Sequence, residues 1–420
     1  MWRTDVAIFG GGVAGLWLLD ELVRGGQDAV LFEAGRLGSG QTITAQGIIH
    51  GGLKYSLAGQ ADESALRVSR MPRLWSRCLA GLAQPDLSTV TRRSAHCLLW
   101  HGRSLGSRLG FLGARLGLEV TPRRLPEAER PELLVDHPGP VAVMDEPVIE
   151  PASLLSHLAD RHQQRILQID VNRLTFQCDA PGRVRRIQVG HPFDKLPGST
   201  RDVVPGSVVL TAGAGNAALR QALGLSTEAM QRRPLHMVML RGASDRLPPL
   251  CGHQVDGART RLTITSTVDA AGRTIWQLGG QLAEDGVGMD RPSLVAHAAV
   301  ELAEVVPALD LEGLEASTYR VDRAEATTTG GRRPAGIRVL AEGNTFSCWP
   351  TKMALAPVLA DDVMRRLTSP GVQVASTGDL EPLTQAGLTE WPRPRVAVPP
   401  WDVVTEWLPM RPARPSRQAA

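Results

Sequence analysis

The chain opens with an unbroken apolar run, Val6-Ala7-Ile8-Phe9, that passes straight into Gly10-Gly11-Gly12-Val13-Ala14-Gly15. Apolar residues then recur at helical spacing from Leu16 to Val23, and a second apolar run from Ala29 to Phe32 ends on Glu33. Runs without alternation predict strands buried on both faces, as in a parallel sheet. Strand, glycine turn, helix, strand and terminal acid together predict a βαβ unit that binds a dinucleotide. Gly10 permits the tight turn, Gly12 lets the backbone approach a pyrophosphate, and Gly15 lets the helix pack close to the strand. The helix start around Ala14 offers free N–H groups and partial positive charge to phosphates. Glu33 is expected to accept hydrogen bonds from a ribose hydroxyl.

The pattern continues through a loop rich in glycine and hydroxyls, where Ser39, Gln41, Thr42 and Thr44 are candidate partners for the pyrophosphate and the cofactor side chain. Helical spacing predicts helices over 61–82, 105–116, 152–164, 293–306 and 353–367. Strand patterns fall at 94–100, 166–176, 184–189, 235–240, 336–340 and 345–349, and a hairpin joins 261–267 to 274–278. The 207–210 run leads into a second glycine turn at Gly213, which repeats the strand–turn–helix form. Val171, in the strand after the 152–164 helix, is placed to set backbone groups beside an adenine. The fold class read from this order is α/β, a Rossmann-like nucleotide domain with a second, α+β substrate domain built on an antiparallel sheet. The nucleotide domain is expected to be discontinuous (1–90, 145–230 and 330–368), with 91–144 and 231–329 forming the substrate domain. Residues 369–420 form an extension rich in proline, tryptophan and arginine, expected to wrap the body as far as Trp407.

Composition narrows the classes. A net charge of +3 over 420 residues argues against nucleic acid as a partner. Five scattered cysteines without a CxxC pair argue against a disulfide framework and for a reducing compartment. No metal is expected, because neither HExxH nor paired CxxC occurs. Without a signal-like start or a span of ~18–20 apolar residues, the expected location is cytoplasmic, with membrane contact at most peripheral. Lysine is scarce: Lys54, Lys195 and Lys352 are the only three.

The motifs in order resemble the D-amino-acid oxidase (DAO) superfamily of FAD-dependent oxidoreductases. They are the N-terminal fingerprint, Glu33, His50-Gly51-Gly52-Leu53-Lys54-Tyr55, Glu150-Pro151, the strand ending at Gly213, and Gly331-Arg332-Arg333-Pro334. The His50 run and the lysine segment Pro350-Thr351-Lys352-Met353 are similar to those of FAD-dependent glycerol-3-phosphate dehydrogenases. The resemblance implies FAD as cofactor and a hydride moving from substrate carbon to flavin N5. It also implies that Gly51 and Gly52 press against the isoalloxazine ring and that Arg333 binds a substrate anion. One departure stands out: Cys348-Trp349-Pro350-Thr351 occupies a turn that many members make with glycine.

Chemistry assigns further roles. Lys352, or the N–H groups opening the helix at Met353, would stabilise negative charge on a reduced flavin. The reference pKa of an imidazole lies near neutrality, so His50 suits a base for the substrate proton, or a hydrogen bond to the flavin. Tyr55 would orient substrate. The expected substrate is small and anionic: a hydroxy acid, an amino acid or a polyol phosphate. The electron acceptor stays open between a quinone, a protein and oxygen. Two rival readings are a nicotinamide-linked dehydrogenase and an FAD-containing subunit of an electron-transfer complex without substrate oxidation of its own.

Overall fold

The computed structural model describes residues 1–52, 67–102, 122–194, 196, 199–256, 259–368, 380–383 and 390–411. The expected 105–116 helix, Lys54, Tyr55 and Lys195 lie outside the described residues. The architecture is mixed α/β, built on two nine-stranded sheets.

β1 (Trp2–Phe9) lies at the centre of the first sheet, parallel to β2 (Ala29–Glu33) on one side and to Thr200–Leu210 on the other. Val6, Ala7, Ile8 and Phe9 are each at most 2 % exposed, which is what an unbroken apolar run needs. Alternation sends Val6 and Ile8 to one face and Ala7 and Phe9 to the other. On the first face α1 (Val13–Arg24) packs with Pro151–Arg161 and Ala356–Leu367, and Trp17 meets Trp75 with ring centroids 4.7 Å apart. On the second, Phe9 stacks on Phe32 and touches Phe176 edge-on. Phe176 belongs to the antiparallel pair Asp170–Ala180 and Arg183–Gly190 that covers this face.

The expected 166–176 strand is therefore two strands. Ile166–Gln168 joins β2 in the sheet, the chain turns at Ile169, and Asp170–Ala180 leaves to cover the second face. The expected 94–100 strand likewise divides into Arg92–Ser94 and Cys97–His101, which serve different sheets. The last helix begins with a short, tighter turn at Met353–Leu355, before Pro357 starts the regular helix.

The second sheet is antiparallel apart from the Gly252–Asp256 and Cys97–His101 pair. Its longest pairing joins Met230–Gly242 to Glu315–Ala326, and the predicted hairpin is present as Arg259–Val268 and Thr274–Gly279. Helix Arg291–Val305 buries its apolar stripe against one face. Its start is fixed by Asp290, whose Oδ1 accepts the Ser293 N–H at 2.9 Å. Met237, Thr263 and Val321 of its other face line a cleft.

The C-terminal segment crosses both units. The Trp391 indole donates to the Gln168 carbonyl at 2.7 Å, and the Leu37 backbone pairs with Arg395 and Ala397. Leu408–Pro409 then adds to the edge of the second sheet beside Glu315. Trp401 is buried, with Arg93 over its ring, and Arg241 lies over Trp407. No helix among the described residues is long and apolar enough to cross a membrane.

Candidate active site

Between the sheets lies a cleft of about 1300 Å³. That exceeds the few hundred to ~1,000 Å³ usual for a small ligand and suits a dinucleotide with a substrate beside it. One wall is the first βαβ turn, Glu33, the 38–47 loop and the 211–215 turn. The opposite wall includes Met237, His253, Thr263, Gly279 and the 320–324 stretch, and the 348–353 segment closes one end.

The glycines on the first wall have separate jobs. Gly10 sits at φ +108°, and a Cβ there would lie 2.4 Å from Ala212 Cα, so the two glycine turns touch backbone to backbone. A Cβ on Gly15 would lie 2.1 Å from the Gly10 carbonyl oxygen, which makes Gly15 the contact between helix and strand. A Cβ on Gly12 meets only the Thr42 hydroxyl, at 3.1 Å, and otherwise projects into open space. That open approach at a helix start is the cradle a pyrophosphate requires, so the residues fit a dinucleotide cofactor.

Glu33 ends β2 on the cleft wall, and its two oxygens accept the Gly11 and Gly35 N–H groups at 2.7 and 2.8 Å. Each carboxylate oxygen keeps lone-pair capacity for a ribose hydroxyl. Thr42 accepts the Val13 N–H at 3.2 Å, inside the first turn of α1. Gln41 and Thr44 line the cleft but are already engaged: Gln41 Oε1 accepts the Ala324 N–H at 2.9 Å, and the Thr44 hydroxyl donates to the Gly40 carbonyl at 2.7 Å. Gln41 therefore ties the loop to the second sheet, as Gln46 does through the Thr263 and Gln277 carbonyls. Ser39, Val171, Gly213, Lys352, Met353 and Arg333 all line the cleft.

His50 is on the wall too, with its side chain 36 % exposed. Gly51 and Gly52, next in the chain, are buried, and the Gly51 N–H donates to Glu146 Oε1 at 2.6 Å. The structure thus joins three residues that no local motif connects. His50 Nδ1 stands 3.7 Å from Glu146 Oε2, and the His253 ring stacks on His50 at 5.2 Å.

The arginines divide into two groups. Arg233 and Arg323 pair with Glu325 and Glu284 at 3.2 and 3.0 Å, while Arg320 donates to the Val287 and Met289 carbonyls. Burial and the neighbouring Arg233 charge pull the Arg323 guanidinium below its ordinary range. Arg259 and Arg333 are exposed on the lining and enter no ion pair among the described residues. Among the described lining residues, six lysine and arginine side chains stand against three carboxylates, so the cleft carries excess positive charge.

At the closed end Thr351 takes φ +60°, the only non-glycine residue with positive φ among those described. Lys352 N–H donates to the Pro350 carbonyl at 2.7 Å, which closes a three-residue γ-turn around Thr351. Thr351 thus holds a conformation that glycine adopts freely, at a cost of about 1–2 kcal/mol. Cys348 is buried, and burial pushes its thiol far up, so it stays protonated. Asn216, which sequence reading passed over, joins this end to the second glycine turn. Its Oδ1 accepts the Ala212 N–H at 2.8 Å, and its Nδ2 donates to the Leu210 and Cys348 carbonyls.

Comparison with known proteins agrees with this geometry. The profile of the DAO family, described as FAD dependent oxidoreductase, matches residues 5–340. The probable FAD-dependent oxidoreductase PA4991 of Pseudomonas aeruginosa is 37 % identical over 404 residues, covering 95 % of this chain and 98 % of the relative. Its crystal structure superposes with a TM-score of 0.78 at 35 % identity, covering 96 % of this chain and 98 % of that one. Glycine oxidase from Geobacillus kaustophilus has a TM-score of 0.57 at 18 % identity, with 87 % and 95 % covered, and shares the fold. So does the L-alpha-glycerophosphate oxidase of Mycoplasma pneumoniae, with a TM-score of 0.61 at 14 % identity and 88 % and 96 % covered.

Proposed function

The chain belongs to the DAO family of FAD-dependent oxidoreductases, and from that premise we propose that it dehydrogenates a C–OH or C–NH group of a small anionic substrate. Bound FAD supplies the hydride acceptor; the protein binds, orients and moves a proton. The observation that carries the reading is the excess positive charge of the cleft, with Arg259 and Arg333 outside any ion pair among the described residues. A planar guanidinium pairs with a carboxylate or phosphate through two parallel hydrogen bonds. Arg333 is the residue we assign to the substrate anion.

The second sheet presents the substrate face, and the two sheets together shield the reacting atoms from water. Fixing a substrate carbon in line with its acceptor removes much of the entropic barrier. His50, on the cleft wall, is the residue we assign to the proton of the substrate O–H or N–H. Lys352 and the N–H groups at Met353 favour negative charge at the closed end. Glycine oxidase and L-alpha-glycerophosphate oxidase share this fold. Amino acids and polyol phosphates are accordingly the first substrate classes to examine, with hydroxy acids as the third.

The test is anaerobic addition of these three classes, each with an uncharged analogue, to the purified holoprotein while the flavin absorbance is followed. Bleaching by an anion and not by its uncharged analogue is the expected result. Bleaching that ignores substrate charge would remove the basis of the assignment. An Arg333→Ala variant should weaken substrate binding at least tenfold, or about 1.4 kcal/mol, with the FAD still bound.

A further inference from the structure

We propose that Glu146 is a positioning residue that acts through His50, fixing the His50–Gly51 peptide and favouring the protonated imidazole. This rests on the reading of His50 as the group that takes the substrate proton. Glu146 stands in the short link between Val141–Met144 of the second sheet and the pair Val148–Ile149. Its residue is only 2 % exposed. One oxygen accepts the Gly51 N–H at 2.6 Å, and the other lies 3.7 Å from His50 Nδ1. A distance of 3.7 Å is too long for a hydrogen bond and short enough for an ion pair, so this contact gains strength when the imidazole becomes charged.

A carboxylate withdrawn from water and held beside an imidazole favours its protonated form. Glu146 would thus make His50 a stronger proton acceptor and offset the positive charge that forms there. His253 adds a second restraint. Its ring stacks on His50 with centroids 5.2 Å apart and planes 30° apart, and its Nδ1 is 2.9 Å from the Thr263 hydroxyl. Two stacked imidazolium rings repel, so the pair takes up one proton before the other. The thiols beside Glu146 do not compete: burial pushes both Cys97 and Cys251 upward, and the Glu146 charge adds to the shift at Cys97. On the cleft side, Arg259, Arg320, Arg333 and Lys352 are the cations of the same lining that are not engaged with Glu284 or Glu325. Lys54 and Tyr55 lie outside the described residues.

Three residues spread from position 50 to position 253 therefore form one unit, with Glu146 carrying the compensating charge. Glu146→Gln isolates that charge, because the amide oxygen can still accept the Gly51 N–H. The experiment is an NMR titration of the holoprotein with ¹³C-labelled histidine, the His50 ring signal being assigned by its loss in His50→Asn. In Glu146→Gln the His50 pKa should fall by about one unit or more, while Glu146→Asp should stay near the wild-type value. Flavin content and absorbance should not change in either variant. An unchanged pKa in Glu146→Gln, or an equal fall in Glu146→Asp, would overturn the proposal. If Glu146→Gln does not accumulate as holoprotein, His253→Phe gives the second reading. It keeps a stacked ring without a proton site, so His50 should hold its proton to higher pH, and an unchanged titration would overturn the coupling. The underlying reading is judged separately. If His50→Asn reduces its flavin at the wild-type rate, the proton-acceptor role falls, while the titration still decides whether Glu146 and His50 are coupled.

Discussion

Adding one methyl group at Gly12 and at Gly15 should separate cofactor binding from packing. In Gly15→Ala the new Cβ would stand 2.1 Å from the Gly10 carbonyl oxygen and 2.7 Å from the Thr211 hydroxyl. The first neighbour is backbone and the second is held by bonds to the Phe9 and Gly10 carbonyls, so neither yields easily. The helix would have to retreat by about 1 Å, at the upper end of the ~1–3 kcal/mol that overpacking costs. Alanine is about 1 kcal/mol better than glycine inside a helix, which leaves a net loss of about 2 kcal/mol. For a chain of 420 residues unfolding as one unit, that corresponds to a fall of about 2 °C in the midpoint. In Gly12→Ala the Cβ meets only the Thr42 hydroxyl, at 3.1 Å, and otherwise enters the cradle. Its stability should fall by less than about 1 kcal/mol, whereas its FAD affinity should drop at least tenfold. Urea unfolding of the two apoproteins gives the first quantity, and quenching of FAD fluorescence on binding gives the second. The reasoning fails if Gly12→Ala holds FAD as wild type does, or if its apoprotein is as destabilised as that of Gly15→Ala.

Three further outcomes follow from buried or strained groups. Arg220 is 1 % exposed and forms a two-pronged pair with the partly exposed Glu342 (2.6 and 3.1 Å), so Arg220→Ala should cost about 2–5 kcal/mol in urea unfolding, chiefly through the cavity it leaves and the hydrogen bonds it loses. Burial of Asp20 opposes its ionisation, but hydrogen bonds from His162 and Arg24 outweigh it and hold the carboxyl below its usual value. The folded pKa being the lower one, this stabilisation is present above the unfolded pKa of about 3.9 and is lost as pH falls through the folded value. Unfolding of Asp20→Asn should accordingly depend less on pH in the acid limb than unfolding of the wild type. Thr351→Gly should relieve positive-φ strain and raise the midpoint in thermal unfolding, by up to about 1 kcal/mol of stability; a lower midpoint would show that the threonine is not strained there.

The nucleotide half of the fold was legible because its signals are local. The Val6–Phe9 run, the glycine spacing and the terminal Glu33 each depend on neighbours within about thirty residues, and the same holds for the 207–213 segment. The hairpin across residues 269–272 could be read for the same reason. What escaped was long-range. Nothing near Gln41 announces that its amide will reach Ala324, and nothing near Glu146 or His253 points to His50. Resemblance sets Gly51 and Gly52 against the ring, but nothing in their own sequence shows that both are buried and that the Gly51 N–H is held by Glu146. The break at Ile169 was hidden because both resulting strands carry the same apolar pattern, and only the packing partner differs. The turn at Thr351 shows the converse: the missing glycine was visible, but the structure was needed to show that the threonine takes a positive φ.

For the compound that bleaches the flavin anaerobically, the rate of bleaching is measured by stopped flow with hydrogen and with deuterium at the carbon to be oxidised. A severalfold slowing with deuterium is predicted, since the proposed step breaks that C–H bond by moving its hydride to FAD. Equal rates with the two isotopes, with reduction shown to be the step observed, would contradict the proposal that this cleft dehydrogenates its substrate in that way.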